Sequence, residues 1–135
     1  MALGVDSSIV IALLKGGELQ QPSLEFFLEM RREARVVICD VAYAEISIFY
    51  RDEPALRSDL SAFGVSYDAV HPGTAYLAGQ IYKRYRQAGG TRDRLVSDFL
   101  IGAHAINQCS GLLTADRGYL RKHFRGLKVY QPPTK

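Results

Sequence analysis

Four acidic side chains occupy sequence settings in which carboxylates can do chemistry. Asp6 directly follows an apolar run at the start of the chain, and Asp116 follows a second short apolar run. Glu45 and Asp98 lie inside apolar segments, where an isolated charge is destabilising unless something compensates it. If all four converge, each pair at about 4 Å repels by about 4 kcal/mol at an effective dielectric of about 20, so the cluster needs raised pKa values or a cation. Carboxylate oxygens favour Mg²⁺ or Mn²⁺, and such ions activate water and polarise phosphodiesters.

Each of these acids also has a purely structural interpretation. Asp6 and Asp116 both precede helical segments, where Asp is a good N-cap. Glu45 and Asp98 can lie at the polar boundary of amphipathic helices. Asp40 is expected to cap the helix that begins at position 41. Spacing alone therefore leaves metal chemistry and helix capping open.

The three histidines do not complete a catalytic arrangement with the acids. His104 lies six residues beyond Asp98 in the sequence, about 240° around a helix, so it is a poor partner for that carboxylate. His71 lies in a turn and His123 in a basic segment, and neither has a nucleophile pattern nearby. The sequence predicts no catalytic histidine.

The elements that must position the acids alternate between β-like runs and helical segments. Strands are predicted at five places: Ala2–Val5, Val36–Cys39, Val65–Val70, Leu112–Thr114 and Lys128–Tyr130. Helices are predicted between and after them: Ile9–Lys15, Pro22–Arg32, Val41–Tyr50, Pro54–Phe63, Thr74–Gln87, Leu95–Asn107 and Gly118–Phe124. Strands separated by helices need crossover connections, so the pattern predicts an α/β three-layer sandwich with a mostly parallel sheet of four to five strands. Sites in such sheets form at the carboxyl ends of the strands, the edge where Asp6 and Asp116 are expected.

Composition limits the class of protein further. The 135 residues, 47% apolar and 23% charged, predict a single globular domain over 1–135. Cys39 and Cys109 cannot staple a loop-rich fold, so reduced thiols in the cytoplasm are expected. The longest apolar runs are too short for a membrane span, and the N-terminus lacks the basic region of a signal peptide. The net charge of +3 permits a nucleic-acid partner without requiring one.

Two basic clusters flank the acidic positions: Lys83, Arg84, Arg86, Arg92 and Arg94, and then Arg117, Arg121, Lys122, Arg125 and Lys128. Such runs are commonly solvated helix faces. Beside an anionic pocket they can also hold RNA phosphates, and Arg92 and Arg94 are the candidates for that role. Tyr82 and Tyr85 are candidates for stacking on unpaired bases or for core packing.

Four short stretches resemble, in order, the acidic motifs of the PIN-domain nucleases. They are Val5-Asp6-Ser7-Ser8, Ala44-Glu45-Ile46, Asp98-Phe99-Leu100-Ile101-Gly102-Ala103-His104-Ala105 and Leu113-Thr114-Ala115-Asp116. The small size and the Asp98 stretch are most similar to the VapC-type toxins of bacterial and archaeal toxin–antitoxin systems. The resemblance covers essentially the whole chain.

The resemblance implies a parallel sheet sandwiched by helices and a ribonuclease that depends on Mg²⁺ or Mn²⁺. It implies an acidic catalytic pocket formed by Asp6, Glu45, Asp98 and Asp116. Asp6, Asp98 and Asp116 would be the metal ligands, while Glu45 would bind the metal directly, bind it through water or activate the attacking water. Ser7 and Thr114 match hydroxyl positions that support the pocket.

The resemblance also implies partners and carries two departures. An RNA substrate is implied, together with a cognate antitoxin in an apolar groove among the N-terminal helices and a second copy in a homodimer. Ser8 stands where many relatives have Asn, and Arg117-Gly118 stands where some carry a further acid. These departures bear on the number of bound ions.

Other interpretations stay open. A PIN nuclease for RNA processing or decay, without an antitoxin, would share the same residues. A non-catalytic domain of the same fold, or a phosphoacceptor signalling domain, would also gather acids at the edge of a parallel sheet. The phosphoacceptor pattern needs an acidic pair at the first strand and a lysine after the last, and this chain has neither.

Overall fold

The computed structural model describes residues 1–15, 20–91, 96–116 and 123–133. Its centre is a five-stranded sheet in the order β3-β2-β1-β4-β5. The strands are β1 Ala2–Val5, β2 Arg35–Ile38, β3 Val65–Tyr67, β4 Gly111–Leu113 and β5 Val129–Tyr130. Every neighbouring pair is parallel. The predicted α/β fold is therefore confirmed, and the described sheet is parallel throughout.

The helices connect the strands as crossovers. They are α1 Ser7–Lys15, α2 Gln20–Glu33, α3 Asp40–Ser47, α4 Glu53–Phe63, α5 Pro72–Gln87 and α6 Val96–Gln108. The predicted helix Gly118–Phe124 falls mostly outside the described residues. Consecutive residues of β1, β2 and β4 are buried, which requires cover on both faces of the sheet. None of the described helices combines the length and the apolar character of a membrane span.

The central strands end together and so position the first and last acids. Val5 is the register partner of Leu113, and the Asp6 amide donates to the Leu113 carbonyl at 3.1 Å. Asp6 and Thr114 are therefore the first residues beyond two hydrogen-bonded strand ends. This is the carboxyl edge of the sheet, as the sequence predicted.

Helix α4 shows which boundary signals were sufficient in the sequence. Asp52 accepts the Ala55 amide at 2.9 Å, and Pro54 lies in the first turn. Gly64 ends the helix with φ of 73°, a left-handed conformation that favours glycine. The predicted stop at Gly64 is confirmed, whereas the helix begins at Glu53, one residue before the predicted Pro54.

The prediction that Asp40 caps a helix is wrong. Cys39 is the N-cap of α3 and makes no side-chain capping bond, whereas Asp40 is already helical. The Asp40 carboxylate instead accepts the Val70 amide at 3.1 Å. β3 ends at Tyr67, the register partner of the last residue of β2, and does not reach the predicted Val70.

His104 and the two cysteines contribute to packing and to contacts between elements of the fold. His104 is buried and its Nε2 lies 2.8 Å from Asp68 Oδ2, which ties α6 to the loop after β3. Both cysteines are free, as expected. Burial raises the pKa of the Cys109 thiol to about 12, which keeps it protonated and unreactive.

Candidate active site

Asp6 lies buried at the junction of β1 and α1. Only 5% of its surface is exposed. Its Oδ1 accepts the Ser8 hydroxyl at 2.5 Å and the Ile9 amide at 3.3 Å. Its Oδ2 accepts the Thr114 hydroxyl at 2.5 Å. The bond from the Ile9 amide is an N-capping bond, so Asp6 caps α1 and also faces the loop after β4.

The two hydroxyls that bind Asp6 are themselves oriented by backbone amides. The Ala115 amide donates to Ser8 Oγ at 2.9 Å, and the Asp116 amide donates to Thr114 Oγ1 at 3.0 Å. Because each hydroxyl oxygen accepts an amide proton, its own proton is directed to Asp6. This arrangement fixes the Asp6 carboxylate and ties it to the backbone that carries Asp116.

Ser7 and Ser8 therefore serve different carboxylates. Ser7 Oγ donates to Glu45 Oε1 at 3.1 Å, whereas Ser8 Oγ donates to Asp6. The sequence predicted supporting roles for Ser7 and Thr114, and both contact a predicted acid. It gave no supporting role to Ser8. The only available signal was that Ser8 lies two residues after Asp6 in the sequence, the spacing of a local side-chain bond.

Glu45 and Asp98 lie on two helices, α3 and α6. Glu45 is half-buried. Asp98 lies in the first turn of α6, where a negative charge is stabilised by the helix dipole. Phe99, the next residue, is fully buried and anchors that turn in the core. The position of Asp98 therefore agrees with the structural interpretation, and its functional role stays a prediction.

The acids affect one another electrostatically. Burial raises the pKa of Asp6, opposed by its hydrogen bonds, and the charge of Asp116 raises it further. Burial also raises the pKa of Glu45, and the charges of Asp98 and Asp6 add to the shift. The four predicted residues therefore share one electrostatic neighbourhood, in which negative charge is costly without a cation.

The fit of this neighbourhood to a metal ion rests on its donors and its charge. Within the described segments, no three His, Cys, Asp or Glu side chains stand close enough to hold one ion between them. The available donors are carboxylate oxygens, the ligands that Mg²⁺ and Mn²⁺ prefer. A divalent cation would also relieve the repulsion that raises the pKa of Glu45. The residues suit a hard divalent ion in type and charge, and the ligand set Asp6, Asp98 and Asp116 stays a prediction.

Of the residues predicted to bind RNA, the structure describes the two tyrosines and leaves out the two arginines. Arg92 and Arg94 lie outside the described residues. The Tyr82 and Tyr85 ring centroids lie 5.0 and 5.1 Å from that of Phe99. Both tyrosines therefore pack against the core, the second of the two roles expected for them.

Several solved structures of toxin–antitoxin proteins share this fold. VapBC2 from Rickettsia felis, solved with a promoter DNA fragment, is 17% identical with a TM-score of 0.76, covering 98% of this chain and 100% of that one. FitAcB from Neisseria gonorrhoeae is 16% identical with a TM-score of 0.69, covering 98% of both chains. VapC20 from Mycobacterium tuberculosis, described as a sarcin–ricin loop cleaving toxin, is 14% identical with a TM-score of 0.64, covering 93% and 98%. At these identities the likeness establishes a shared fold.

The family assignment rests on the sequence. A search of curated proteins gave no significant match. The profile of the PIN domain, in contrast, matches residues 4–124. That match includes Asp6, Glu45, Asp98 and Asp116, and it covers β2, β3, β4 and the second half of β1. This chain belongs to the PIN domain family.

Proposed function

We propose that the chain is a metal-dependent endoribonuclease, the toxin of a VapBC-type toxin–antitoxin pair, which hydrolyses RNA phosphodiester bonds in the cytoplasm. The observation that carries this proposal is the acidic neighbourhood at the carboxyl edge of the sheet. There the charge of Asp116 helps to raise the pKa of Asp6, and the charge of Asp98 helps to raise the pKa of Glu45. Membership of the PIN family supports nuclease chemistry. The VapBC2, FitAcB and VapC20 structures support the assignment to toxin–antitoxin systems.

In this proposal the chain's own residues hold the ion and handle the proton. Asp6, Asp98 and Asp116 hold Mg²⁺ or Mn²⁺, which supplies Lewis-acid activation of water and phosphate when bound. Ser8 and Thr114 keep Asp6 oriented. Glu45 uses Oε1 to accept the Ser7 hydroxyl, and Oε2 takes the proton of the attacking water. Its raised pKa suits that role, because a base works best near the operating pH.

The proposal includes an antitoxin docking site. A groove of about 350 Å³ is lined by Ile11, Leu14, Phe49, Tyr50 and Asp59. Phe49 is 47% exposed and adds apolar surface to this groove. We assign this groove to a helix of the antitoxin.

The homodimer implied by the resemblance belongs to the same proposal, and sedimentation of the purified chain tests it.

Cleavage of structured RNA in Mg²⁺ or Mn²⁺ tests the proposed activity. The wild type should cleave, EDTA should stop cleavage, and Asp6→Asn and Asp98→Asn should each lower the rate at least about a hundredfold. Asp52→Asn is the matched control, since Asn is also a good N-cap and this exposed residue caps α4. Equal rates in the wild type and both site variants would overturn the assignment.

A second measurement separates the toxin from an RNA-processing nuclease. The product of a small neighbouring reading frame should bind the chain and inhibit cleavage. Leu14→Glu, which places a charge in the groove, should weaken that inhibition without changing cleavage by the free enzyme. Cleavage with no such inhibitor would favour the RNA-processing nuclease.

A further inference from the structure

A cavity of about 420 Å³ lies between α5, α6 and the segment that precedes β5. Its wall is apolar and includes Ile81, Tyr85 and Phe124, while Arg84, His123 and Arg125 bring cationic or titratable groups to it. Arg84 and Arg125 are exposed, and His123 is half-buried. We refer to this feature as the α5–α6 cavity.

The charge of the α5–α6 cavity distinguishes it from the other cavities described. Its described lining holds two arginines and no carboxylate. The other three cavities each include an acid: Glu53, Glu33 and Asp59. Neither Arg84 nor Arg125 forms an ion pair with a carboxylate of the described residues. The two arginines come from the two separate basic clusters of the sequence, which the fold brings to one place.

The position of the cavity relates it to the acidic site. The Tyr85 ring centroid lies 5.1 Å from that of Phe99, the neighbour of Asp98 in the sequence. Helix α6 also contributes Ile106 to the lining. Since Ile106 lies eight residues beyond Asp98, that wall is about 12 Å along the helix axis from the acid. The lining of the cavity therefore includes Tyr85, which packs against the neighbour of Asp98, and Ile106, about two turns of α6 from Asp98.

We propose that the α5–α6 cavity binds an unpaired nucleotide of the RNA substrate that lies outside the site of cleavage. Arg84 and Arg125 hold the flanking phosphates, because a guanidinium matches phosphate geometry and keeps its charge. The His123 ring packs against the base, and the volume is within the range of small-molecule sites. Tyr85 fixes the plane of that ring, since the two lie 4.9 Å apart at 86°. This inference rests on the proposed function.

Binding of a short, fluorescein-labelled single-stranded RNA to the full chain tests the inference, with Asp98→Asn present to prevent cleavage. The double variant Arg84→Ala/Arg125→Ala should weaken binding and reduce the slope of log K against log salt by about 1.4, at about 0.7 per phosphate contact. Arg32→Ala/Arg35→Ala is the matched control, because both arginines are exposed and Arg35 begins β2 at the opposite edge of the sheet. The control should change both quantities little.

Two substitutions at His123 separate stacking from charge. His123→Ala should weaken RNA binding about tenfold, whereas His123→Phe, which keeps an aromatic face, should retain most of the affinity. A duplex of the same sequence should show no such difference between Ala and Phe. Equal affinity of the Ala and Phe variants for the single strand would contradict the stacking role.

Failure of the inference is distinguishable from failure of the proposed function. If the wild type cleaves RNA but both arginine pairs have equal effects, the cavity proposal is wrong and the ribonuclease stands. If the wild type does not cleave, and only Arg84 and Arg125 affect RNA binding, the ribonuclease is wrong and the cavity binds RNA. If the Arg84/Arg125 variant binds RNA normally but loses the antitoxin, the cavity is a protein-docking site and the proposal fails.

Discussion

Ser8 supports two parts of the acidic site with a single hydroxyl. Its Oγ donates to Asp6 and accepts the Ala115 amide. Ser8→Ala leaves both groups without that partner, so we expect the free energy of unfolding to fall by about 1–3 kcal/mol. RNA cleavage should fall with it, because Asp6 loses one of the two hydroxyl donors that orient its carboxylate.

Urea unfolding and the rate of cleavage measure these two effects. Ser47→Ala is the matched control: the Ser47 hydroxyl donates only to the Ala44 carbonyl at an exposed position. The control should change the unfolding free energy by less than about 0.5 kcal/mol. If Ser8→Ala were as stable and as active as Ser47→Ala, the hydrogen bonds that link the Ala115 amide to Asp6 through Ser8 would be dispensable.

Glu45 should make the fold sensitive to pH when no metal is present. Burial and the charges of Asp98 and Asp6 raise its pKa above the ordinary 4.5. The folded state then binds this proton more tightly than the unfolded state, so stability is lost as pH rises from the ordinary pKa through the raised one. Glu45→Gln removes that loss and should raise Tm at neutral pH in EDTA.

The Tm advantage of Glu45→Gln should disappear below pH 4.5, the ordinary pKa of the side chain. Glu29→Gln, an exposed change on α2, is the matched control for the loss of one carboxylate. Thermal scans of both variants and the wild type between mildly acidic and neutral pH provide the measurement. A Glu45→Gln advantage that grows toward acidic pH would mean that folding lowers the pKa of Glu45 instead of raising it.

The sequence was more informative about which acidic residues form the site than about the hydrogen bonds that orient them. Asp6 and Asp116 could be predicted because each follows an apolar run at a strand end. The role of Ser8 depends on the Ala115 amide, 107 positions away. No local pattern reports such a contact, because it exists only after β1 and β4 have paired.

At the scale of elements, two helical glycines predict opposite effects of the same substitution. A Cβ on Gly102 of α6 would lie 2.6 Å from Phe124 Cζ, whereas a Cβ on Gly79 of α5 would meet nothing within 4 Å. Gly102→Ala should lower the unfolding free energy by about 1–3 kcal/mol through overpacking. Gly79→Ala should raise it by about 0.5–1 kcal/mol through helix propensity.

Chemical denaturation of the two alanine variants measures this contrast directly, and each serves as the control for the other. A neutral Gly102→Ala would mean that the Phe124 ring shifts without penalty. In that case the Phe124 ring, which lines the α5–α6 cavity and packs against Gly102 of α6, would be free to move, and the shape of the cavity could change with it.

The boundaries of elements were predictable where the signal was local. The Asp52 cap, Pro54 and the left-handed Gly64 lie within or next to α4, and they define its limits. The end of β3 was not predictable, because the bond from the Val70 amide to Asp40 joins residues 30 positions apart. The alternating pattern predicted a strand up to Val70, whereas the Val70 amide is bound by the Asp40 carboxylate and the strand is three residues long.

At the scale of the whole molecule, divalent ions should stabilise the folded chain. A ligand that binds only the native state raises its stability by mass action. We expect Mg²⁺ or Mn²⁺ to raise the Tm of the wild type, and Asp98→Asn to reduce that increase. Asp52→Asn, whose carboxylate lies on the exposed start of α4, should respond like the wild type.

Thermal scans across a metal titration measure this response. Ca²⁺ at the same ionic strength provides a comparison for non-specific screening of negative charge. An identical increase in the wild type and Asp98→Asn would mean that the ion binds elsewhere. The predicted ligand set would then be wrong.

The global architecture followed from the alternation of apolar runs with helices, because parallel strands need crossovers and their sites form at one edge. The surface that meets a partner did not follow from the sequence. Arg84 and Arg125 lie 41 positions apart in the sequence, and only the packing of α5 beside the segment before β5 brings them to one cavity. Charge runs alone could not indicate that convergence.

The hydrogen bond between Thr114 and Asp6 spans 108 positions of the chain. During synthesis on the ribosome, β1 leaves the exit tunnel long before β4 exists, so a nascent polypeptide holds Asp6 without the hydroxyl and the backbone that fix it. Any catalysis that needs Asp6 and Asp116 together must wait until nearly the entire chain has been translated. A polypeptide that terminates before β4 therefore lacks Thr114 and Asp116 and cannot assemble this part of the acidic site.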